Sequence, residues 1–311
     1  MKIGYVGLGR MGQGMVSRMV QGGISVVGYD RSPDLSIDSA LLSSGKFSKA
    51  SSIRDLVSKV ESHSDRTLVW LMVPAGDAVD SCISELIPCL SAGDIIVDGG
   101  NSNFRDSIRR AKTCEENPSK PIHFVDVGTS GGIWGQAMGF CLMVGGRKDD
   151  FDYIEPVFKL ISAEGGYSYM GDVGSGHYVK MVHNAVEYGL MQSYAEGVDL
   201  LNHGPYKLPL DEVVRVWNRG GVVRSWLLEL AEKMLEEDPE LNSLEGIIDD
   251  SGTGRWALEE ALQAKIPVPV LSNALFARFR SKRSNTISDR FVAGLRKAFG
   301  GHAVVKSETG K

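Results

Sequence analysis

The stretch "IGYVGLGRMGQGM", residues 3–15, decides the fold that the sequence predicts. A short apolar run leads into a turn of six residues, which are Gly7, Leu8, Gly9, Arg10, Met11 and Gly12. In this spacing Gly7 permits a tight turn, Gly9 lets a ligand approach the backbone, and Gly12 lets the following helix lie close to the strand. The stretch therefore predicts the strand, turn and helix that open a doubly wound α/β sheet.

The same alternation of strand and helix continues through the first half of the chain. More short apolar runs follow, bounded by Gly, Pro or Asp: "SVVGYD", "TLVWLMVP", "DIIVDGG", "IHFVDVG", "FCLMVGG" and "YSYMG". Helical candidates lie between them, over 11–21, 49–61, 76–90, 103–116 and 150–163. Short β-branched runs of this kind are typical of buried parallel strands, so the pattern predicts a doubly wound sheet of parallel strands.

The context of the glycine turn indicates a bound dinucleotide. The turn follows a strand and opens a helix, and Asp30 lies 18 residues beyond Gly12 at the end of the second strand, where an acid can bind the adenosine ribose. A glycine-rich turn without a ligand is the alternative. Asp30 suits the free 2′-hydroxyl of NAD, whereas Arg31 could bind the 2′-phosphate of NADP or stack on adenine. Because the acid occupies the ribose position, the sequence favours NAD over NADP.

The second half of the chain has a different organisation. The alternation stops near "MGDVGSGH", residues 170–177, and almost every later segment has the composition of a helix. One long helix is predicted from near Gly174 to about Asn202, roughly 40 Å in length. The sequence thus predicts a Rossmann-like dinucleotide-binding domain over residues 1–173, followed by an all-α domain over residues 174–311.

Composition and charge exclude several kinds of partner. The chain has 311 residues, a net charge of −5 and no long basic block, which argues against a nucleic-acid or anionic-membrane partner. Its four cysteines form no close CxxC pair and no Cys/His cluster with zinc spacing, so we predict no metal site. The N-terminus does not resemble a secretory signal, and no apolar run reaches membrane-spanning length. We therefore expect a soluble, cytoplasmic protein.

Two strand ends carry candidate substrate ligands. "DVGTSGG", residues 126–132, ends in Ser130, Gly131 and Gly132, whose hydroxyl and backbone N–H groups suit a carboxylate, although an ordinary glycine-rich turn would have the same composition. "DGGNSN", residues 98–103, ends the preceding strand, and Asn101 would face the same crevice. Asn101 could also be the N-cap of the next helix.

The segment "GHYVKMVHNAVEYG", residues 176–189, holds the third candidate group. Read as a helix, it places Lys180, His183, Asn184 and Glu187 on one face, since their spacing is 0, 3, 4 and 7. The simplest alternative is an amphipathic helix with a solvated polar face. A base, an imidazole, an amide and an acid on one face instead favour the wall of a reaction site.

Taken in order, the glycine turn, "DVGTSGG" and "GHYVKMVHN" resemble the β-hydroxyacid dehydrogenases. The resemblance is closer to the decarboxylating 6-phosphogluconate dehydrogenases. Five motifs carry it: "DGGNSNFRDS", "GHYVKMVHNAVEYG", "SGTGRWA", "NALFARFRSK" and "LRKAFGGH". The matching motifs run from residue 1 to about residue 302, nearly the whole chain.

The resemblance implies a role for each matching residue. Lys180 matches the catalytic base and Glu187 the catalytic acid. The groups around the sugar acid match Asn101, Ser130, Gly131, Gly132, His183 and Asn184. The phosphate ligands match Tyr188, Ser251, Arg278, Arg296 and His302. The cofactor residues match Gly7, Leu8, Gly9, Arg10, Met11, Gly12, Asp30, Arg31, Ser32, Val73, Pro74, Ala75 and Asn101.

The implied reaction explains these roles. Oxidation of a secondary alcohol needs a base for the hydroxyl proton, and a lysine can serve only if its pKa is lowered by burial or by nearby positive charge. Oxidation at C3 gives a β-keto acid that loses CO₂, and the resulting enediol needs a proton at C1, which Glu187 could supply. The resemblance therefore implies oxidative decarboxylation of 6-phosphogluconate, a phosphorylated sugar acid, to ribulose 5-phosphate with NAD.

The chain also departs from the family pattern. Ser251 replaces a family lysine before the "GTG" turn, which weakens or replaces one phosphate contact. Asp30-Arg31-Ser32 replaces the Asn-Arg-Thr type sequence of the longer NADP-using members, which supports NAD. Those members carry a duplicated helical domain, and this chain has one copy. In the family, the segment with Arg296 and His302 reaches into a neighbouring subunit, so we expect a homodimer or homotetramer with shared active sites.

Two other functions remain open at this point. One is an NAD(P)-linked dehydrogenase or reductase of another β-hydroxyacid, without decarboxylation. Glu187 and the pair Arg296 and His302 argue against it. The other is a non-catalytic dinucleotide sensor, against which Lys180 and Asn184 argue.

Overall fold

The computed structural model describes residues 1–32, 34–61, 66–300 and 303–305. By its internal contacts the chain divides into two units, Met1–Asn184 and Ala185–Lys311. Each unit is described by itself below.

The first unit is built on an eight-stranded sheet. Its strands are β1 (Lys2–Val6), β2 (Ser25–Tyr29), β3 (Phe47–Lys49), β4 (Leu68–Leu71), β5 (Ile95–Asp98), β6 (His123–Ser130), β7 (Phe140–Gly145) and β8 (Ser162–Gly171). The spatial order is β3-β2-β1-β4-β5-β6-β7-β8. The strand order reverses direction beside β1, as in doubly wound folds, and this confirms the predicted α/β fold class.

The prediction of an all-parallel sheet is wrong at one place. β6 and β7 pair in the antiparallel sense, with Asp126 opposite Gly145 and Ser130 opposite Cys141. Only residues 131–139 connect these strands, and a parallel crossover needs about a dozen residues or more. The connection instead forms a short 3₁₀ turn, Gly132–Trp134, and a single helical turn, α6 (Gly135–Met138).

Helices connect the other strands. They are α1 (Arg10–Gln21), α2 (Ser39–Ser43), α3 (Ile53–Glu61), α4 (Asp77–Leu86), α5 (Phe104–Glu115) and α7 (Lys148–Ile161). Five of them match the helical candidates of the sequence to within a few residues at each end. The short elements α2 and β3 were not predicted, because neither is long enough to show a periodic pattern.

Alternating side chains of the strands build two apolar layers, one on each face of the sheet. Ile3, Tyr5 and Trp70 belong to one layer, together with residues of α1 and α7. Val6 and Val69 belong to the other layer, together with residues of α3 and α4. Both faces are therefore covered, which explains why these strands have continuous apolar sequences.

Helices form the second unit. The helix α8 (Ser175–Asn202) begins in the first unit and continues into the second, and its bounds match the long helix predicted from the sequence. The remaining helices are α9 (Leu210–Asn218), α10 (Trp226–Glu237), α11 (Thr253–Gln263), α12 (Pro269–Ser281) and α13 (Ile287–Gly300). Val214, Leu228 and Leu235 form one small core between α9 and α10. Each helix in the described part of the chain is too short or too polar to span a bilayer.

Candidate active site

The turn between β1 and α1 forms an open cradle. Gly7 has a φ of 97°, and a Cβ added there would overlap the carbonyl oxygen of Met72. A Cβ added at Gly12 would overlap the carbonyl oxygen of Gly7. Around Gly9, by contrast, no other described heavy atom lies within 4 Å of an added Cβ. The backbone at the start of α1 is therefore open to a ligand, and a helix N-terminus favours a phosphate.

Asp30 is fixed beside this cradle by two backbone donors. The N–H of Leu8 donates to Oδ2 at 2.7 Å, and the N–H of Ser32 donates to Oδ1 at 2.9 Å. The first bond joins the segment after β2 to the glycine turn, and the second lies within that segment. The carboxylate thus has a defined position at the place where the sequence predicts the ribose contact.

A cavity of about 240 Å³ lies at this edge of the sheet. Its lining residues are Val6, Gly7, Gly9, Asp30, Arg31, Met72, Val73, Pro74, Ala78 and Cys82. Six of them were predicted cofactor residues, while Val6, Met72, Ala78 and Cys82 were not, because nothing in their residue types indicates a ligand. The glycine cradle, the helix N-terminus and the ribose-side acid fit a dinucleotide.

The other predicted cofactor residues lie around this cavity. Leu8 is fully buried below the turn, and Met11 contacts the core from α1. Arg10 is exposed at the start of α1, and Ala75 is exposed in the turn that follows β4. Ser32 contributes its backbone N–H, which donates to the Asp30 carboxylate. A larger depression of about 570 Å³ lies along β8 and contains none of the predicted site residues.

The start of α8 is anchored to the sheet by Asp126. This fully buried carboxylate on β6 accepts hydrogen bonds from the N–H groups of Gly174, at 2.6 Å, and His177, at 2.7 Å. Close contact reinforces the anchor, because a Cβ added at Gly128 of β6 would overlap the Cβ of Lys180. The strand glycine therefore allows Lys180 to approach β6 closely. Sequence reasoning had missed the role of Asp126.

Lys180, His183 and Asn184 form a contiguous polar group in the first unit. The side chain of Lys180 is only 5% exposed. Its Nζ lies 3.3 Å from Nδ1 of His183, which in turn lies 3.1 Å from Oδ1 of Asn184. Nδ1 can accept a hydrogen bond from Lys180 or donate one to Asn184, but not both at once. The tautomer of His183 therefore decides which of these two contacts is a hydrogen bond.

Asn101 connects the loop that follows β5 to the end of β6. Its Nδ2 donates to the carbonyl oxygen of Thr129 at 2.9 Å, and its Oδ1 accepts from the N–H of Thr129 at 2.8 Å. The alternative reading of Asn101 as a helix N-cap is wrong, because Asn103 caps α5 and accepts from the N–H of Arg105. Asn101 has a φ of 53°, a conformation that asparagine tolerates better than most residues.

A buried ion pair that the sequence did not reveal supports this loop. Asp98 accepts hydrogen bonds from the N–H of Gly100, at 3.0 Å, and from Oγ of Ser102, at 2.7 Å. These two donors stand on either side of Asn101. Arg110 of α5 lies 3.3 Å from Asp98 and also donates to the carbonyl oxygen of Gly76, in the loop after β4. Arg110 thus ties together two loops at the carboxyl edge of the sheet.

The loop after β6 is short and rich in glycine. Ser130 is half-buried at the end of the strand, and Gly131 and Gly132 both have positive φ values, 115° and 51°. Residues with a side chain rarely adopt these conformations, so the glycines set the path of the loop. Asn101 is bonded to Thr129, the residue before Ser130, so both predicted substrate ligands lie at the same edge of the sheet.

Three predicted phosphate ligands come together in the second unit. The hydroxyls of Tyr188 and Ser251 are hydrogen-bonded at 3.1 Å. The guanidinium carbon of Arg278 lies 3.5 Å from the centroid of the Tyr188 ring, and Nη1 of Arg278 donates to the carbonyl oxygen of Asp249 at 2.8 Å. Close contact with α11 holds the tyrosine, since a Cβ added at Gly254 would lie 2.8 Å from its ring.

The remaining predicted site residues are not part of this group. Glu187 is half-buried on α8, in the second unit. Arg296 lies on α13 with an exposed side chain. His302 lies outside the described residues.

Two family models match the chain. Residues 2–174 match the NAD binding domain of 6-phosphogluconate dehydrogenase, and residues 176–307 match the 6-phosphogluconate dehydrogenase C-terminal domain. Together they cover nearly the whole chain, in the order in which the sequence motifs appear.

Curated relatives agree with the family models. The chain is 43% identical to an NAD(+)-dependent, decarboxylating 6-phosphogluconate dehydrogenase of Haloferax volcanii, over 99% of this chain and 100% of the relative. It is 39% identical to a putative 6-phosphogluconate dehydrogenase of Bacillus subtilis, over 98% of this chain and 100% of the relative. A decarboxylating enzyme of Saccharomyces cerevisiae is 36% identical, but the match spans only 59% of its length.

Solved structures have the same fold. The 6-phosphogluconate dehydrogenase of Plasmodium falciparum superposes with a TM-score of 0.79 at 28% identity, over 100% of this chain and 67% of that one. The 3-hydroxyisobutyrate dehydrogenase of Mycobacterium tuberculosis, at 20% identity and a TM-score of 0.69, covering 95% of this chain and 99% of that one, shows a likeness of fold alone. With the full-length relatives and both family models, these matches confirm the resemblance seen in the motifs: the chain belongs to the 6-phosphogluconate dehydrogenase family.

Proposed function

We propose that this protein oxidises and decarboxylates 6-phosphogluconate to ribulose 5-phosphate and CO₂, with reduction of NAD. The observation that carries the proposal is the buried Lys180, which lies close to β6 at Gly128 and contacts the half-buried pair His183 and Asn184. A solvated polar face would not bury its lysine, because an isolated buried ammonium is costly. The named activity of the full-length Haloferax volcanii relative supports the same reaction.

Lys180 is the proposed base of the oxidation step. Bound NAD supplies the hydride acceptor at C4 of its nicotinamide. The Lys180 amine takes the proton of the C3 hydroxyl as the hydride leaves, and His183 keeps the amine oriented through its Nδ1. The product is a 3-keto acid with a carboxylate in the β position.

Glu187 is the proposed acid of the second half-reaction. Loss of CO₂ from the β-keto acid leaves an enediol, which needs a proton at C1. Glu187 follows Lys180 by seven residues on α8, so the two side chains leave the same face of the helix about 10 Å apart along its axis. Separate groups can therefore serve the two ends of the reaction, the alcohol and the enediol.

Binding of the sugar phosphate needs local cations and donors, because the chain carries a net negative charge. We assign the phosphate to Tyr188, Ser251 and Arg278, with Arg296 and His302 supplied by a neighbouring subunit. The hydroxyl of Ser251 takes the place of the family lysine, and its bond to Tyr188 orients both hydroxyls. Asn101, Ser130, Gly131 and Gly132 are assigned to the carboxylate end of the sugar acid.

The preference for NAD over NADP rests on Asp30. Its carboxylate, fixed by Leu8 and Ser32, can accept hydrogen bonds from ribose hydroxyls and repels a 2′-phosphate. The Haloferax volcanii relative is named as NAD(+)-dependent, whereas the Plasmodium falciparum structure was solved with NADP+. Its low identity and partial coverage make it the weaker guide to the cofactor.

The same proposal includes assembly as a homodimer or homotetramer in the cytoplasm. It also divides the chain into a dinucleotide-binding domain, residues 1–173, and a helical domain, residues 174–311. Apolar side chains of α13 support assembly, because Phe291, Val292 and Leu295 are 65%, 55% and 49% exposed in the single chain. An exposed apolar helix face of this kind is typical of an interface. Arg296 follows directly on the same helix.

The decisive experiment supplies 6-phosphogluconate and NAD and measures NADH and CO₂ together. Equal amounts of the two products support oxidative decarboxylation. NADH without CO₂, or turnover only with another β-hydroxyacid, would favour the non-decarboxylating alternative. Tight NADH binding without turnover of any sugar acid would favour a dinucleotide sensor.

A further inference from the structure

Arg31 lines the cofactor cavity next to Asp30 and is a cation that could serve a 2′-phosphate. Its guanidinium already has a partner. Nη2 of Arg31 donates to Oε1 of Glu85 at 3.1 Å, across the space between β2 and α4. No part of the proposed function uses Glu85.

Glu85 stands close to the cavity wall. It follows Cys82 by three residues on α4, so the two side chains share a helix face, and Cys82 lines the cavity. Burial raises the pKa of the Cys82 thiol; the charge of Arg31 opposes this rise and the charge of Glu85 adds to it. Both charges therefore act on a residue that lines the cavity.

The ion pair contributes little to folding. Both side chains are 53% exposed, and pairs exposed to this extent add little to stability because water screens them. Its effect on a ligand is different. Asp30 and Arg31 both line the cavity, and Glu85 pairs with Arg31, so the three groups together carry a net charge of −1. A 2′-phosphate would meet two carboxylates and a cation that is already engaged.

We propose that Glu85 is a specificity-determining residue for the cofactor, acting by holding Arg31 away from a 2′-phosphate. The inference rests on the proposed use of NAD. Asp30 selects for the ribose hydroxyl directly, and Glu85 engages the guanidinium that could otherwise bind the 2′-phosphate of NADP. Specificity commonly combines repulsion of the wrong ligand with the loss of a contact that would favour it. Here Asp30 repels the 2′-phosphate, and Glu85 keeps Arg31 from binding it.

The test titrates NADH and NADPH fluorescence with the purified full-length protein. Glu85→Gln should tighten NADPH binding by about twofold to fivefold and change NADH binding by less than about twofold, because only the phosphate gains the freed guanidinium. Asp77→Asn is the matched control, since it removes one exposed carboxylate from the same helix. Equal gains for NADPH in both variants, or no gain in Glu85→Gln, would overturn the proposal.

A double variant tests the route through Arg31. In an Arg31→Ala background, Glu85→Gln should no longer improve NADPH binding, since there is no guanidinium to release. A gain that persists would show that Glu85 acts without Arg31 and would overturn the mechanism. The titrations need no turnover, so an inactive protein that still binds NADH would count against the proposed reaction and not against Glu85. A wild-type protein that binds neither nucleotide would overturn both.

Discussion

Individual side chains at the carboxyl edge of the sheet are held in place by neighbouring residues. Lys180 is the main example. Gly128 lets its helix approach β6, Asp126 fixes the backbone of the preceding turn, and His183 contacts its amine. A lysine must lose its proton before it can accept one, and burial disfavours the charged form. Burial of Lys180 therefore serves the proposed chemistry as well as the packing of α8 against β6.

Lys180→Met should abolish hydride transfer while leaving the cofactor site intact. Methionine keeps much of the apolar stem but has no basic nitrogen, and loss of a general base costs on the order of 10²- to 10⁴-fold in rate. NADH formation with 6-phosphogluconate measures the first effect, and NADH fluorescence titration measures the second. Lys207→Met, at an exposed position, is the control. Near wild-type NADH formation in Lys180→Met would show that the assigned base is wrong.

Glu187→Gln should slow the appearance of ribulose 5-phosphate, because glutamine is isosteric with glutamate but has no acidic proton to give. Product formation is followed directly, alongside NADH. Glu196→Gln changes an exposed glutamate of the same helix and should have little effect. Unchanged ribulose 5-phosphate formation in Glu187→Gln would remove this residue from the mechanism.

The residue scale is also where the sequence was least informative. Asp98 and Arg110 could not be identified, because a strand-end aspartate and one arginine among several in α5 carry no periodic signal. Their importance arises from burial and from bonds between residues 12 positions apart. The motifs did identify Tyr188, Ser251 and Arg278, which lie far apart in the chain and come together in the second unit. That grouping came from the resemblance to a family, not from spacing, and the role of the three residues as phosphate ligands stays a prediction.

At the scale of secondary structure elements, long periodic segments were predicted well and short ones poorly. The bounds of α8 were predicted within about one residue at each end, since glycines precede it and a Gly-Pro pair follows it. β3 was missed because three residues cannot display a pattern. The predicted direction of β7 was wrong because an apolar run has the same composition in a parallel and in an antiparallel strand. Only the length of residues 131–139 carried that information.

Contact between β6 and α8 gives a prediction at this scale. Gly128→Ala should lower both the melting temperature and the activity, because the added Cβ would overlap that of Lys180 and push the helix away. Overpacking of this kind costs about 1–3 kcal/mol. Thermal unfolding and the NADH assay measure the two effects.

Gly197→Ala, on the same helix, is the matched control for that change. There the described structure leaves the space around an added Cβ open within 4 Å, and alanine favours a helix interior by about 0.5–1 kcal/mol over glycine. The control should therefore raise the melting temperature or leave it unchanged. Equal behaviour of the two variants would mean that close approach of α8 to β6 does not determine the position of Lys180.

At the scale of the whole molecule, the proposed phosphate site of one chain places one assigned guanidinium beside two neutral hydroxyls. Arg278 contributes a guanidinium, and Ser251 contributes a neutral hydroxyl where the family has a lysine. The net charge of −5 gives no general attraction for an anion. Arg296, on the exposed and partly apolar α13, is the cation that a second subunit could supply. Charge-assisted bonds to phosphate would then couple assembly to activity.

Subunit complementation tests this coupling. Lys180→Met and Arg296→Ala proteins, each expected to be nearly inactive alone, are mixed under conditions that exchange subunits. If Arg296 reaches into a partner's site, a hybrid dimer contains one pocket with both changes and one pocket with neither, so part of the wild-type activity should return. Differently tagged copies confirm that hybrids form, and each variant mixed with itself provides the baseline. Confirmed hybrids without recovered activity would place Arg296 in the pocket of its own subunit, or outside any pocket, because no intact site would then be regenerated.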